Sequence, residues 1–342
     1  MSGTSLDGLD LALCAFDETN HRYSYTILAA KTIPYDNKLK TELFSAYKSS
    51  GMELCRLNAH FGQFLGTEAK KFLEKTGLQA DAIASHGHTI FHQPANGFTT
   101  QIGSGADIAA VTGLITVCDF RSVDVALGGQ GAPLVPIGDE LLFTPYQACL
   151  NLGGIANISY KHENGNRTAF DICVCNMALN FLAGKTGKAF DDKGEMARRG
   201  QIDHNLLNAL NNLDYFQQTE NKSLGYEWFE KNIKPLIEKG DVETNLRTFA
   251  EHVACQIAEV LLKNQLKQVL ITGGGAYNTF LQERLQALGD ANIVIPDSTT
   301  IEFKEALIFA FLGYLRLNNK TNTLKSVTGA LRNSVGGAVY IS

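Results

Sequence analysis

The chain has 342 residues, 44% of them hydrophobic and 19% charged, with a formal net charge of −5. That length exceeds what one compact core usually holds, so two domains of a soluble globular protein are expected. Mixed charge without a basic stripe argues against a nucleic-acid partner, and no apolar run approaches the roughly 20 residues that span a bilayer, so no membrane partner is expected.

The first residues, MSGTSLDG, form a small polar turn ahead of an apolar run from Leu9 to Phe16. Neither a charged n-region nor an apolar h-region stands there, so no signal peptide is expected. The seven cysteines (Cys14, Cys55, Cys118, Cys149, Cys173, Cys175 and Cys255) are odd in number and include no CxxC pair. Most lie in apolar runs, as small buried hydrophobes do, and a reducing cytoplasm is the expected setting.

In chain order, LALCAF, DAIAS, TTQIG, LITVCD, ACLNLG, IANISYK, RTAFDIC, KQVLIT and ANIVI read as strands. Leu54, Leu57, Phe61, Phe64, Leu65 and Phe72 recur at helical spacing, as do Leu246, Phe249, Val253, Ile257 and Leu261. Shorter helices are predicted over 176–182, 278–288 and 305–315. An Asn-Gly pair at Asn164-Gly165 predicts a hairpin between the strands that flank it. Strands alternating with helices predict α/β layers.

Three glycine-bearing turns stand out. Ser2-Gly3-Thr4-Ser5 precedes the first strand, Asn151-Leu152-Gly153-Gly154 lies between two strands, and Gly273-Gly274-Gly275 closes KQVLIT and leads to a helix at Asn278. Glycine lets backbone N–H groups approach phosphate oxygens, hydroxyls add donors, and a helix N-terminus adds a favourable dipole. Any one of them is also an ordinary tight turn, since turns favour Gly, Asn and Ser. Three in this order favour a duplicated nucleotide clamp.

Other motifs carry less. Gly184-Lys185-Thr186 lacks the upstream glycine of a phosphate-binding loop, because position 179 is Leu179. Gly103-Ser104-Gly105 lacks the third glycine of a dinucleotide fingerprint, since position 108 is Ile108. His86-Gly87-His88, with His92 nearby, has the form of a metal pair, but such a site needs further ligands from later strand ends, and His162, His204 and His252 lie in a hairpin turn or in helices. A polar pocket lined by these histidines is the simpler reading.

Four stretches go beyond pattern: MSGTSLDG (1–8), SHGHTIFHQP (85–94), DFRSVDVALGGQGAPLVP (119–136) and NLGGIANIS (151–159). With FDICVCN (170–176), TGGGAYN (272–278), KEALIFAFL (304–312) and SVTGA (326–330), the chain resembles the anhydro-N-acetylmuramic acid kinase family over nearly its whole length. The resemblance implies an α/β, two-domain actin-like fold, shared by actin and sugar kinases, with ATP and sugar in a central cleft. The expected division is residues 1–133 plus 323–342 against 134–322. It further implies phosphorylation of the 6-oxygen of 1,6-anhydro-N-acetylmuramic acid with hydrolytic opening of the anhydro bridge, in bacterial cell-wall recycling. ATP and Mg²⁺ are the expected cofactors, and a homodimer the expected assembly.

Residue roles follow from that resemblance and from the chemistry. Hydrolytic opening asks for a carboxylate that aligns water, and Asp171 matches the family's proposed base. Its alternative is a helix N-cap. Ser2, Gly3, Thr4, Ser5, Asp7, Gly8, Asn151, Gly153, Gly154, Gly273, Gly274, Gly275 and Asn278 are expected at the nucleotide. Asp7 is also the candidate for Mg²⁺ held through water; otherwise it is a turn aspartate. His86, Arg121, Gln130, Gly131, Ala132, Asn176 and Glu305 are expected at the sugar. Arg121 would pair with a carboxylate or phosphate, or else sit in a surface ion pair. Glu305 otherwise belongs to a solvated helix face, and 130–133 to a plain crossover.

The chain departs from the family in two places. Ile172-Cys173-Val174-Cys175 stands where many members read Thr-Gly-Pro-Gly, so any conformation needing positive φ at those glycines is lost. The short apolar strand that precedes MSGTSLDG in the family is missing, which predicts that Met1 is an internal methionine. A chain that truly starts there is expected to lose a strand neighbour, stability and ATP affinity.

Overall fold

The computed structural model describes residues 1–3, 6–217 and 222–341. Thr4 and Ser5, two of the residues expected at the nucleotide, lie outside the described residues. In chain order the strands are β1 (Gly8–Thr19), β2 (Arg22–Pro34), β3 (Ala82–Ala84), β4 (His88–Gln93), β5 (Phe98–Ile102), β6 (Ile115–Cys118), β7 (Ala148–Leu152), β8 (Ile155–Lys161), β9 (Arg167–Val174), β10 (Gln268–Thr272), β11 (Asn292–Val294) and β12 (Ala338–Tyr340). The chain divides into two compact units, Met1–Leu142 with Phe303–Ser342, and Phe143–Glu302. The boundaries expected from the sequence are 133/134 and 322/323. Helix Val135–Leu142 instead packs on the later part of helix Ser298–Leu317. Gly138 lies against Ile308 there, and the buried Lys304 ammonium meets the buried Asp139 carboxylate at 2.7 Å.

In the first unit, β1 and β2 form a long antiparallel ribbon. Asn20 and His21 join them in a two-residue turn with φ of 51° and 61° at both positions, which matches the right-handed twist of the strands. Strand β2 is absent from the sequence reading. Its turn carries no glycine, and although exposed and half-buried residues alternate from Arg22 to Ala29, none of them is fully buried. The ribbon packs through Phe16 and Tyr23 onto Phe311 and Tyr314, with ring centroids 5.1–6.3 Å apart. At its start, β1 is paired on both sides. Ser2 bridges Leu9, and Met1 O accepts from Asp10 N at 2.9 Å.

Helix Gly51–Thr76 begins with a reciprocal Ser50–Glu53 capping box and stops at Gly77, which has left-handed φ. Its small face, Gly62 and Gly66, lets helix Gly105–Thr112 approach closely: a Cβ on Gly62 would lie 2.7 Å from Ser104 O. Leu9, Tyr35, Phe61, Leu65, Ile102 and Ile108 close this core. The parallel strands β3 and β6 end side by side, at Ser85-His86 and at Asp119–Arg121. Ligands of open α/β sheets bind beyond such carboxyl ends.

The second unit is a five-stranded sheet in the order β11-β10-β7-β8-β9. Strands β7, β8 and β9 form an antiparallel meander, while β10 and β11 run parallel to β7. Helix Val242–Lys263 covers the sheet with Leu246, Phe249, Val253 and Ile257, all fully buried. Along β8 and β9, Ala156 pairs with Cys173 but Asn157 pairs with Asp171. Ile172 is therefore an extra residue, a β-bulge of the kind that re-aims a neighbouring side chain.

Candidate active site

In the first unit the residues expected at the sugar form one network. Arg121 donates to His86 Nε2 from Nε at 3.2 Å and from Nη2 at 2.8 Å, and to Gly131 O from Nη1 at 2.6 Å. His86 Nδ1–H donates to Gly87 O at 3.0 Å. Gly131, with φ of 66°, donates its N–H to Asp124 Oδ2 at 2.8 Å, and Thr328 Oγ1 donates to Asp124 Oδ1 at 2.7 Å. The fully buried Asp124 thus anchors the 128–133 loop, which Gln130 N reinforces by bonding Thr328 O at 2.8 Å. The Gln130 side chain is exposed, and the Ala132–Pro133 peptide is cis.

Arg121 is half-buried and makes no ion pair among the described residues, so the surface-pair alternative does not hold. Its five N–H donors less these three bonds leave one N–H on each terminal nitrogen. Burial, then the Arg121 charge, lowers the His86 pKa to about 3, which keeps the imidazole neutral. Burial lifts the Glu305 carboxyl above the usual carboxylate range, and the Arg121 charge opposes that rise. Its side chain nonetheless keeps a solvent-exposed face. Beside His86 opens a pocket of about 230 Å³, lined by Gln101, Ser104, Asp119, Ser122 and Tyr340 among others.

The Ser2 hydroxyl, expected to face phosphate, is 2% exposed. It accepts from Tyr35 OH at 2.7 Å and shares a hydrogen bond with His88 Nδ1 at 3.0 Å, so it is engaged inside the core. Gly3 O accepts from Leu6 N at 3.3 Å. Asp7 is exposed. Gly8 is required by packing, because a Cβ there would lie 2.5 Å from Ile33 O. Among the described residues no group of three or more His, Cys, Asp or Glu is arranged to hold a metal.

In the second unit Asp171 lies inside β9, five residues before helix Asn176–Gly184, and that helix begins at Cys175 with no side-chain cap. The N-cap alternative is therefore excluded. Residues 172–175 are buried, and none has positive φ. Ile172, Cys173 and Val174 continue strand β9. Burial raises the Asp171 pKa above the usual carboxylate range, and a hydrogen bond from Leu224 N to Oδ2 at 2.8 Å opposes it.

Asn176 ties this strand to the β7–β8 turn. Its Nδ2 donates to Leu152 O at 2.8 Å and its N–H to Gly153 O at 3.1 Å, while Cys175 N donates to Gly154 O at 2.9 Å. The glycines nearby fall into two kinds. Gly273 has φ of 80° and its Cβ would lie 2.2 Å from Asn151 Oδ1; a Cβ on Gly275 would lie 2.6 Å from Leu152 Cβ. Both are demanded by the fold. At Gly153, Gly154 and Gly274 a Cβ would find only ordinary contacts of 3.5–3.8 Å. Among the described residues nothing accepts from the N–H groups of those three. The Asn278 side chain caps helix Thr279–Leu288 by accepting from Leu281 N at 3.0 Å.

Sequence reasoning missed Tyr215, Lys222 and Leu224, which hold Asp171 from outside β9, and Thr328, which holds Asp124. No local motif marks the first three. Thr328 lies in the SVTGA stretch, where only the resemblance drew attention to it.

Comparison with known proteins completes the picture. The family model described as anhydro-N-acetylmuramic acid kinase matches residues 1–342. The anhydro-N-acetylmuramic acid kinase of Sulfurimonas denitrificans is 33% identical over 99% of this chain and 98% of its own length. That of Sulfurovum is 35% identical over 100% and 98%, and that of Vibrio cholerae 35% identical over 99% and 96%. Among solved structures, the activator of the 2-hydroxyisocaproyl-CoA dehydratase from Clostridium difficile is a remote likeness, with a TM-score of 0.38 and 14% identity over 84% of this chain and 89% of that one. Full-length matches at this identity show that the chain belongs to the anhydro-N-acetylmuramic acid kinase family.

Proposed function

We propose that the chain opens 1,6-anhydro-N-acetylmuramic acid with water and phosphorylates its 6-oxygen from ATP, giving N-acetylmuramic acid 6-phosphate and ADP. The observation that carries this reading is Asp171: a half-buried carboxylate of raised pKa, re-aimed by a bulge, with one oxygen held by Leu224 N–H. Asp171 Oδ1 takes a proton from water as the water oxygen bonds to the anomeric carbon. The bond from that carbon to the 6-oxygen breaks, and the 6-oxygen receives the γ-phosphoryl group. One step then serves both hydrolysis and transfer.

The remaining N–H groups of Arg121 suit end-on recognition of the sugar's lactyl carboxylate. Glu305 and the 130–132 backbone would contact the sugar's hydroxyl and amide groups. Free N–H groups at Gly153, Gly154 and Gly274 suit phosphate oxygens, and open space around those glycines gives the oxygens room. A lone exposed Asp7 fits Mg²⁺ bound chiefly through water and phosphate, where the ion would neutralise charge on the transferring group. A homodimer working in the cytoplasm in cell-wall recycling completes the reading. No helix among the described residues is long and apolar enough to cross a membrane.

The test is to mix the chain with Mg-ATP and the anhydrosugar, follow ADP, and weigh the sugar product. Sugar-dependent ADP and a product heavier by one phosphoryl group plus one water support the reading. ADP release that ignores the sugar, or a product that gains the phosphoryl group without the water, sinks it.

A further inference from the structure

A carboxylate on an edge strand is poorly held by its own sheet. Strand β9 is such an edge, and Asp171 follows the sheet only as far as the bulge at Ile172. Three bonds from one segment make good the deficit. Lys222 O accepts from Asp171 N at 3.1 Å, Tyr215 OH donates to Asp171 O at 2.7 Å, and Leu224 N donates to Asp171 Oδ2 at 2.8 Å.

Tyr215 and Lys222 are themselves pinned. Tyr215 is 5% exposed, with its ring 5.5 Å from Phe216 and 5.3 Å from Trp228. Lys222 Nζ lies 4.4 Å from the centre of the Tyr215 ring and donates to Tyr215 O at 3.3 Å, so cation and ring tie the two ends together.

Capping a sheet edge needs only the two backbone bonds. The third is different, because it reaches the carboxylate itself and fixes Oδ2, while Oδ1 accepts no bond from the described residues. We infer that Tyr215 and Leu224 are positioning residues, which hold Asp171 so that Oδ1 alone is presented to the proton it removes. This inference rests on the reading of Asp171 as the base. The titratable groups facing Asp171 are Cys173 on its own strand and Tyr215 and Lys222 on the segment. Burial pushes the Cys173 thiol and the Tyr215 hydroxyl well above their ordinary values, so both stay protonated at neutral pH, and burial lowers the Lys222 pKa.

Two variants of the full chain test it. Tyr215→Phe keeps the ring and its packing. It should lower kcat on the order of 10- to 100-fold through misplacement of the base, with the KM for the anhydrosugar within about twofold. Leu224→Pro removes the one N–H that favours the charged carboxylate. The Asp171 ¹³C-carboxyl titration and the acid limb of kcat/KM should then both move to higher pH. Should Leu224→Pro not fold, Tyr215→Phe carries the test alone. Asp171→Asn is the control. An inactive Asp171→Asn with wild-type kcat in Tyr215→Phe, or an unmoved carboxyl titration in folded Leu224→Pro, overturns this inference alone. Wild-type turnover by Asp171→Asn overturns the base reading and this inference together.

Discussion

Arg121 donates twice to one acceptor, His86 Nε2, and His86 passes its only proton to Gly87 O. The imidazole is thereby fixed as a neutral Nδ1–H tautomer whose lone pair serves the guanidinium. Under the proposed function, His86 would act on the sugar through Arg121, which it orients. His86→Ala should raise the KM for the anhydrosugar about 10- to 100-fold, as loss of a hydrogen bond to a charged group implies. The value of kcat should change far less. Steady-state kinetics on the folded variant check it, and an unchanged KM would remove His86 from the site.

Asp171 must be ionised to act as a base. Burial raises its pKa, with Leu224 N–H opposing, so the acid limb of kcat should lie above the ordinary carboxylate range. Asp171→Asn should abolish that limb and lower kcat by roughly 10²- to 10⁴-fold, while leaving ATP affinity in place. A pH–rate profile of both proteins decides. A limb that persists in the variant belongs to another group.

Glycines that the fold demands and glycines it does not should behave differently. Gly154→Ala should unfold like the wild type yet raise the KM for ATP. Gly275→Ala, whose Cβ would press on Leu152, should lose about 1–3 kcal/mol of stability. Denaturant melts beside ATP kinetics test the pair. Equal stability losses would show that Gly154 is a packing glycine as well.

Lys304 and Asp139 are both nearly excluded from water, and their ion pair joins two helices of the first unit. Removing one partner takes from the other its buried counter-charge, so Lys304→Met should destabilise by roughly 3–5 kcal/mol. The double change Lys304→Met with Asp139→Leu should recover much of that loss. A double variant as unstable as the single one would show that shape, not charge, is what the site needs.

His86 and His252 both have pKa values lowered to about 3, chiefly by burial. Each binds a proton in the unfolded chain near pH 6.5 and in the folded chain only far below it. Between those values the unfolded state holds more protons, so stability is full above about pH 6.5 and falls as pH drops through the window. The loss is up to about 1.4 kcal/mol per pH unit for each group. The raised carboxyls of Asp171 and Glu305 act in the opposite sense. Urea unfolding between pH 7.5 and 4.5 should show a shallower slope for His252→Asn than for the wild type.

Much of the framework was legible because it rests on local rules. The helices carry their apolar period and caps, the Asn164-Gly165 hairpin carries its turn, and the strands of the second unit carry continuous apolar runs. Strand β2 was hidden because Asn20-His21 makes its turn without glycine. Asp171 was found through resemblance, and what holds it was not. Tyr215 and Leu224 reach it across 44 and 53 residues of chain, a separation over which periodicity says nothing. Ser2 looked like a phosphate donor because a hydroxyl in a glycine turn usually is free. Only the folded chain brings Tyr35 and His88 to it.

The bulge at Ile172 fixes the phase of everything that follows it on β9. Side chains of a strand alternate between two faces, so one supernumerary residue exchanges the faces of the residues on either side of it. A deletion of that single codon would leave hydropathy, charge and motif spelling almost untouched. It would nevertheless turn Asp171 toward the opposite side of the sheet while leaving Cys173, Cys175 and the helix beyond them in register. A length change of one residue between Asp171 and Asn176 is therefore a harsher edit than replacing residues 172–175 at constant length.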